Sequence, residues 1–326
     1  MEPLSFRLAT LNTGLVRVEI LNLDVREAIP ARRERQQALP ALLLEANHDI
    51  ICLQEVFSRP QQQWLKRVLA NGPWQVIGST DGALPGQRNW GLVTLVRRDL
   101  FHVTARRDVG FRPADWTEVL FGPKGAMALE LVPKNTDGQQ QKPSSAQPEV
   151  PETAQTGLHS PSPSFWVVNL HATYGGLNNN FAGDAAIELR TQQLRQIGQE
   201  FGDHRAFLVG DYNAGPHVSP AAYDCLTQEF GATDLIAPGE NPLSFRTWDP
   251  SNPLHDSILN RDGVVHDAHH GRIDHIFGTA PAQRHYHATN AKMIWNQPVI
   301  AADALHPGAK VCPSDHYGLE LCVTAR

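Results

Sequence analysis

Short apolar runs closed by turn-forming residues recur along the chain, and their spacing predicts most of its elements. Runs at 6–11, 50–53, 92–97, 127–132, 165–170, 206–209, 272–277 and 319–323 are rich in Val, Leu, Ile and Phe. Their length and composition predict β-strands. Stretches 32–45, 61–69 and 185–201 set charge on one side and apolar residues on the other, as helices lying on a core do. Strands and helices interleave without a regular strand–helix–strand beat, and 92–132 holds little helix. The fold class expected is α/β, with mostly antiparallel sheets covered by helices rather than one doubly wound parallel sheet.

Residues 134–164 break the pattern. Pro, Ser and Gln dominate them, and such a segment buries too little apolar surface to order itself. The runs on either side both read as strands able to pair. The segment is therefore expected to be a disordered insertion at a hairpin tip, with a single domain spanning residues 1–326 around it.

Composition narrows the class. With 41% hydrophobic residues in 326 the chain is ordinary globular protein. No apolar run approaches the ~20 residues of a membrane span. The opening Met1-Glu2-Pro3-Leu4 lacks the order of a secretory signal, so a soluble, cytoplasmic protein is expected. A net charge of −6 argues against retention on nucleic acid by bulk charge. Cys52, Cys225, Cys312 and Cys322 are scattered, which suits buried thiols better than disulfides or a zinc cage. Four histidines, His266, His269, His270 and His275, crowd one loop-like stretch, but their spacing fits no standard metal site.

The chemistry sits where the apolar runs end. Asn12 follows the first run and Glu55 the second; Asn169 and His171 close the run at 165–170, and Asp211 and Asn213 the run at 206–209. Asp274 lies inside the run at 272–277, and Asp315 and His316 precede the last. A polar residue at a strand end stands at the rim of a sheet, where several strands can converge on one pocket. Taken singly each is ordinary: an Asn before Thr-Gly is a turn residue, and Ser-Asp-His caps a helix as readily as it builds a site. Six in succession are harder to assign to chance.

That succession resembles the endonuclease/exonuclease/phosphatase superfamily, the fold of deoxyribonuclease I. The residues that carry the likeness are Asn12, Leu53-Gln54-Glu55, Asn169-Leu170-His171, Gly210-Asp211-Tyr212-Asn213, Arg272-Ile273-Asp274 and Ser314-Asp315-His316. The resemblance implies a four-layer sandwich and hydrolysis of a phosphodiester. Such a hydrolase must neutralise anionic charge, deprotonate water and protect the leaving oxygen. Mg²⁺, with Mn²⁺ as a substitute, meets the first need when held by one or two carboxylates, and Glu55 and Asp315 are the candidates. Asp211 would take the proton from water. Asn12 and Asn213 would steady the phosphoryl oxygens, and His171 and His316 would contact the scissile phosphate. The family pattern pairs Asp274 with His316, keeping it charged or in the right tautomer. Versions of the fold that only bind partners usually lose some of these residues, whereas this chain keeps every one.

Substrate candidates follow from weaker likenesses. Lys124 in Gly-Pro-Lys-Gly, with Leu170-His171-Ala172-Thr173-Tyr174 after it, is similar to the neutral sphingomyelinase branch, which makes a phospholipid headgroup diester the first expectation, and Asn169 is a further substrate-binding candidate. Trp248 and Asn252 lie in a Thr-Trp-Asp-Pro-Ser-Asn segment similar to the phosphodiesterases that act on tyrosyl-DNA 5′ ends, which makes nucleic acid the second. A monomer without a protein partner is expected.

Overall fold

The computed structural model describes residues 3–20, 23–27, 29–81, 89–114, 122–134, 163–175, 183–236, 245–255, 271–303 and 305–326. Most of the insertion reading, and His266, His269 and His270, fall outside them. The strands of the first part are β1 (Ser5–Asn12), β2 (Arg17–Ile20), β3 (Leu23–Glu27), β4 (Ile50–Gln54), β5 (Trp74–Gly78), β6 (Val93–Arg97), β7 (Phe101–Gly110) and β8 (Gly125–Pro133). The rest are β9 (Phe165–His171), β10 (Ala206–Asp211), β11 (Thr233–Asp234), β12 (Asp274–Gly278), β13 (Tyr286–Ile294), β14 (Ile300–Ala301), β15 (Lys310–Val311) and β16 (Gly318–Ala325). The helices are α1 (Arg32–Ala46), α2 (Arg59–Val68), α3 (Asp184–Phe201), α4 (Pro220–Phe230) and α5 (Ala280–His285).

Two six-stranded sheets stack face to face. One runs β13-β16-β1-β4-β6-β5 and the other β11-β12-β10-β9-β8-β7. Each has one parallel pair at its centre, β1 with β4 and β9 with β10, and is antiparallel elsewhere. β8 pairs with β9 from Gly125–His171 to Leu131–Phe165, as their apolar runs predict.

Why the central runs are continuous rather than alternating is clear from β4. Ile50 and Cys52 point between the sheets, among Phe6, Leu129, Phe165 and Val209. Ile51 and Leu53 point outward against Leu39, Leu43 and Leu65 of α1 and α2. The other sheet does the same, with Val168, Leu170 and Leu208 covered by Leu194, Ile197, Phe201 and Leu226 of α3 and α4. Strands buried on both faces need apolar residues at every position. The result is an α/β sandwich of four layers.

α2 begins at Arg59, soon after β4 ends at Gln54, for a local reason. Ser58 accepts from Gln61 N, and the Gln61 side chain accepts from Ser58 N, closing a capping box with Pro60 in the first turn. Among the described residues no helix is long and apolar enough to cross a membrane.

Candidate active site

Register brings the strand-end residues together. In β10, Asp211 is the Cα partner of His171 in β9 and of Asp274 in β12. In the opposite sheet Asn12 pairs with Gln54, so Glu55 lies one residue beyond it. Both parallel pairs end at the same rim, and the two sheets meet there.

Asp211 is the centre. It is 1% exposed. Its Oδ2 accepts from Asn12 Nδ2 at 2.8 Å and its Oδ1 from the backbone N–H of Asn213 at 2.8 Å. His171 Nε2 lies 3.4 Å from Asp211 Oδ2 and 3.8 Å from Glu55 Oε1. Burial and the neighbouring Asp274 push the Asp211 carboxyl up to about 7. One atom each from Asp211, Asp274 and His316 lie within 4.8 Å of one another.

His316 is a cation in this setting. Burial works against its charge, but Asp274, Asp211 and Asp315 outweigh it and hold the imidazole at about 10. Its Nδ1 donates to Asp274 Oδ2 at 2.8 Å. Asp274 is fixed in turn at the backbone, where Thr247 Oγ1 accepts from the N–H groups of Ile273 and Asp274. Ser314 Oγ accepts from His316 N and donates to Asp315 Oδ1.

His171 differs from His316. Burial, then Lys124 and His316, drive its pKa well below the ordinary histidine value, so its ring is neutral. Lys124 Nζ donates to His171 Nε2 at 2.6 Å and stacks over Phe57 with 5.7 Å to the ring centroid. A positive charge is therefore present beside the cluster, on the lysine rather than on this histidine. Phe57 was not among the expected site residues; no local pattern marks an aromatic ring beneath a distant lysine.

Glu55 sits just past β4 with φ at 61°, a left-handed backbone that non-glycine residues hold only where their surroundings require it. Its side chain is 16% exposed, more than that of His171 or Asp211. Burial raises its pKa and Asp315 adds to the rise, while Lys124 lowers it. Asn213 also has positive φ, at 48°, and its Nδ2 donates to Ala172 O.

Three expected substrate contacts, Asn169, Asn252 and Trp248, are buried and engaged by the protein's own groups. Asn169 is wholly buried between the sheets; its Nδ2 donates to Leu53 O, Val93 O and Thr94 Oγ1, and its Oδ1 accepts from Gln54 Nε2. It pins β9 to β4 and β6 and is not at the surface of the cluster. Asn252 donates to Ser314 O at 2.9 Å and accepts from Leu254 N, so it braces the loop that carries Asp315. Trp248 is 7% exposed and packs edge-on against His316, ring centroids 4.8 Å apart, among Val218 and Ile273. Its indole walls the histidine and shows solvent little area for stacking.

A second buried group stands behind Asp211. Asp234 Oδ2 pairs with Arg272 at 2.7 Å, with His275 Nδ1 at 2.9 Å and with the Tyr223 hydroxyl at 3.1 Å. His275 Nε2 donates to Ala214 O at 2.8 Å, which steadies the turn after Asp211. The crowding of histidines in the sequence thus has a structural use in its one described member.

Solved structures of similar fold include TDP2 from D. rerio complexed with single-strand DNA product, at 15% identity over 98% of both chains with a TM-score of 0.62. An endonuclease/exonuclease/phosphatase family protein from Bacteroides thetaiotaomicron matches at 18% identity over 99% of both chains, TM-score 0.60. The human Nocturnin catalytic domain matches at 14% identity over 99% of this chain and 94% of that one, TM-score 0.57. These likenesses are of fold. No curated protein matches the sequence. The model of the Endonuclease/Exonuclease/phosphatase family matches residues 10–316, from the strand that carries Asn12 to His316 itself, and the chain belongs to that family.

Proposed function

We propose that the protein hydrolyses phosphodiesters with the help of a divalent cation, Asp211 serving as general base. The observation that supports this best is the geometry around Asp211: an acid raised to about 7, held on both oxygens, beside the His316–Asp274 pair.

The residues fit a hard dication. Four carboxylates, Glu55, Asp211, Asp274 and Asp315, face two cations, Lys124 and His316, and so carry an excess of negative charge when ionised. Asp274 Oδ1 is buried without a hydrogen-bond partner. A Cβ at Gly14, whose φ is +55°, would collide with Asp315 Oδ1, so the loop leaves that oxygen room only because glycine stands there. Glu55 and Asp315 would hold the ion, Mg²⁺ or Mn²⁺ in its place, and it would supply charge neutralisation at the phosphoryl group.

The chain's own groups carry the proton and hold the charge. With Asn12 and the Asn213 N–H fixing its oxygens, Asp211 presents one orientation to an attacking water and accepts its proton. His316 donates one N–H to Asp274 and keeps the other for a phosphoryl oxygen as charge develops there. Lys124 adds a second positive charge, positioned by the neutral His171. Asn12 also hydrogen-bonds Glu55 and lowers its pKa, so one amide serves the proposed base and the proposed metal ligand together.

A phospholipid headgroup diester is the first substrate reading, supported by Lys124 standing within the cluster. Nucleic acid is the second, supported by the DNA product bound to the TDP2 structure of similar fold. The pairing of β8 with β9 supports reading the chain as one domain around residues 134–164. Parallel assays separate the substrates: Mg²⁺-dependent phosphocholine release from sphingomyelin micelles, and Mg²⁺-dependent cleavage of single-stranded DNA. Phosphocholine release upholds the first reading, DNA cleavage moves the assignment to the second, and silence in both with either cation overturns the proposal.

A further inference from the structure

Arg35 lies in the first turn of α1, on no catalytic rim, and is 1% exposed. A guanidinium buried so deeply must spend its N–H groups on acceptors, and this one spends them on backbone carbonyls of three loops. Nη1 donates to Thr13 O at 2.8 Å and to Pro313 O at 3.3 Å. Nη2 donates to Gly14 O at 2.8 Å and to Ile29 O at 3.4 Å, and Nε to Pro30 O at 3.1 Å.

Thr13 and Gly14 form the turn directly after Asn12, and Pro313 directly precedes Ser314, Asp315 and His316. Those two loops also lie close together, so that a Cβ added at Gly14 would run into Asp315 Oδ1 and crowd Ser314 Oγ. The turn is further tied by Gly14 N donating to Asn12 Oδ1 at 3.0 Å, and by Thr13 donating twice to Gln54 O, from its N–H and its hydroxyl. One planar side chain thus joins the loop that orients Asp211, through Asn12, to the loop that carries Asp315 and His316.

We propose that Arg35 is a positioning residue that sets the spacing between these two loops, and through them the alignment of Asp315 with Asn12 and Asp211. The inference rests on the proposed hydrolytic site and deepens it. A lysine would keep the charge, but its compact ammonium cannot fork between carbonyls on separate loops. A misplacement of about 1 Å at reacting groups costs on the order of 100-fold in rate.

The test compares Arg35→Lys with Leu39→Ala, one turn along the same helix, whose buried side chain faces the outer core instead. Each is measured for kcat, KM and the Mg²⁺ concentration that half-saturates the rise in Tm. Arg35→Lys is expected to lower kcat by about 10- to 100-fold, hold KM within about threefold, and raise the Mg²⁺ midpoint several-fold. Leu39→Ala is expected to lower Tm while leaving kcat and the midpoint in place. Wild-type kcat and midpoint in a folded Arg35→Lys, or equal changes in Leu39→Ala, would overturn the inference. If the lysine variant does not fold, hydrogen exchange on the wild-type chain decides. Mg²⁺ should then protect the amides of 13–15 and 314–316 at one common midpoint, and protection of 314–316 alone would refute the link. A wild type that shows neither turnover nor stabilisation by Mg²⁺ fails the hydrolase reading instead, which keeps the two failures apart.

Discussion

Asn12 Nδ2 donates to Asp211 Oδ2 across 2.8 Å although 199 positions separate the two in sequence. Asn12 ends β1 of one sheet and Asp211 ends β10 of the other. The bond therefore exists only when the two sheets are stacked in their correct register. It ties the orientation of the proposed base to the completion of the fold, and any slip between the layers would release Asp211 from its amide.

The pH dependence of turnover follows from two groups. Asp211 works deprotonated, so the rate should rise with pH as its carboxyl, near 7 before a cation binds, loses its proton. More Mg²⁺ favours the carboxylate and should move that limb to lower pH. His316 works protonated, so the rate should fall as pH passes about 10. Asp274→Asn removes the anion that holds the proton on His316. Its alkaline limb should move down by more than one pH value, with kcat at pH 8 reduced at least about tenfold. A rate–pH profile of the variant with an unmoved alkaline limb would refute the pairing.

Lys124→Met should cost about 10- to 100-fold in kcat while leaving Tm nearly unchanged, because the lysine supplies charge to the cluster rather than support to the core. The same change should raise the pKa of His171, since Lys124 is one of the influences that keep its ring neutral. NMR titration of the imidazole in wild type and variant checks the direction.

Asn169→Ala separates support from substrate contact. It removes the bonds to Leu53 O, Val93 O and Thr94 Oγ1 and the acceptor that Gln54 Nε2 uses, and disrupting such a buried polar network costs about 1–3 kcal/mol. Denaturant unfolding should show a loss of that size, with KM unchanged for the protein that remains folded. A raised KM without a loss of stability would return Asn169 to the substrate side.

The central strands were legible in the sequence because both of their faces are buried. Ile50, Ile51, Cys52 and Leu53 serve the two sides of β4 in turn, and an unbroken apolar run results. Edge strands gave no such signal. β7 at one edge and β13 at another alternate with exposed polar positions, among them His102 and His287, and fall outside the apolar runs that predict strands. The order of acids, amides and imidazoles at strand ends pointed to the cluster before any contact was known. What spacing along the chain cannot carry is which residue meets which. Asn169 turned out to bridge the sheets, His171 to be neutral beside Lys124, and Arg35, an ordinary helix arginine in sequence, to reach three loops.

The most direct test of the account is the turnover of Asp211→Asn beside wild type, on whichever substrate of the two assays is cleaved, at saturating Mg²⁺. The amide retains the shape and can still accept from Asn12, but it cannot take a proton from water. A loss of about two to four orders of magnitude in kcat, with cooperative melting preserved, is the result the account predicts. Turnover within a few-fold of wild type would contradict it.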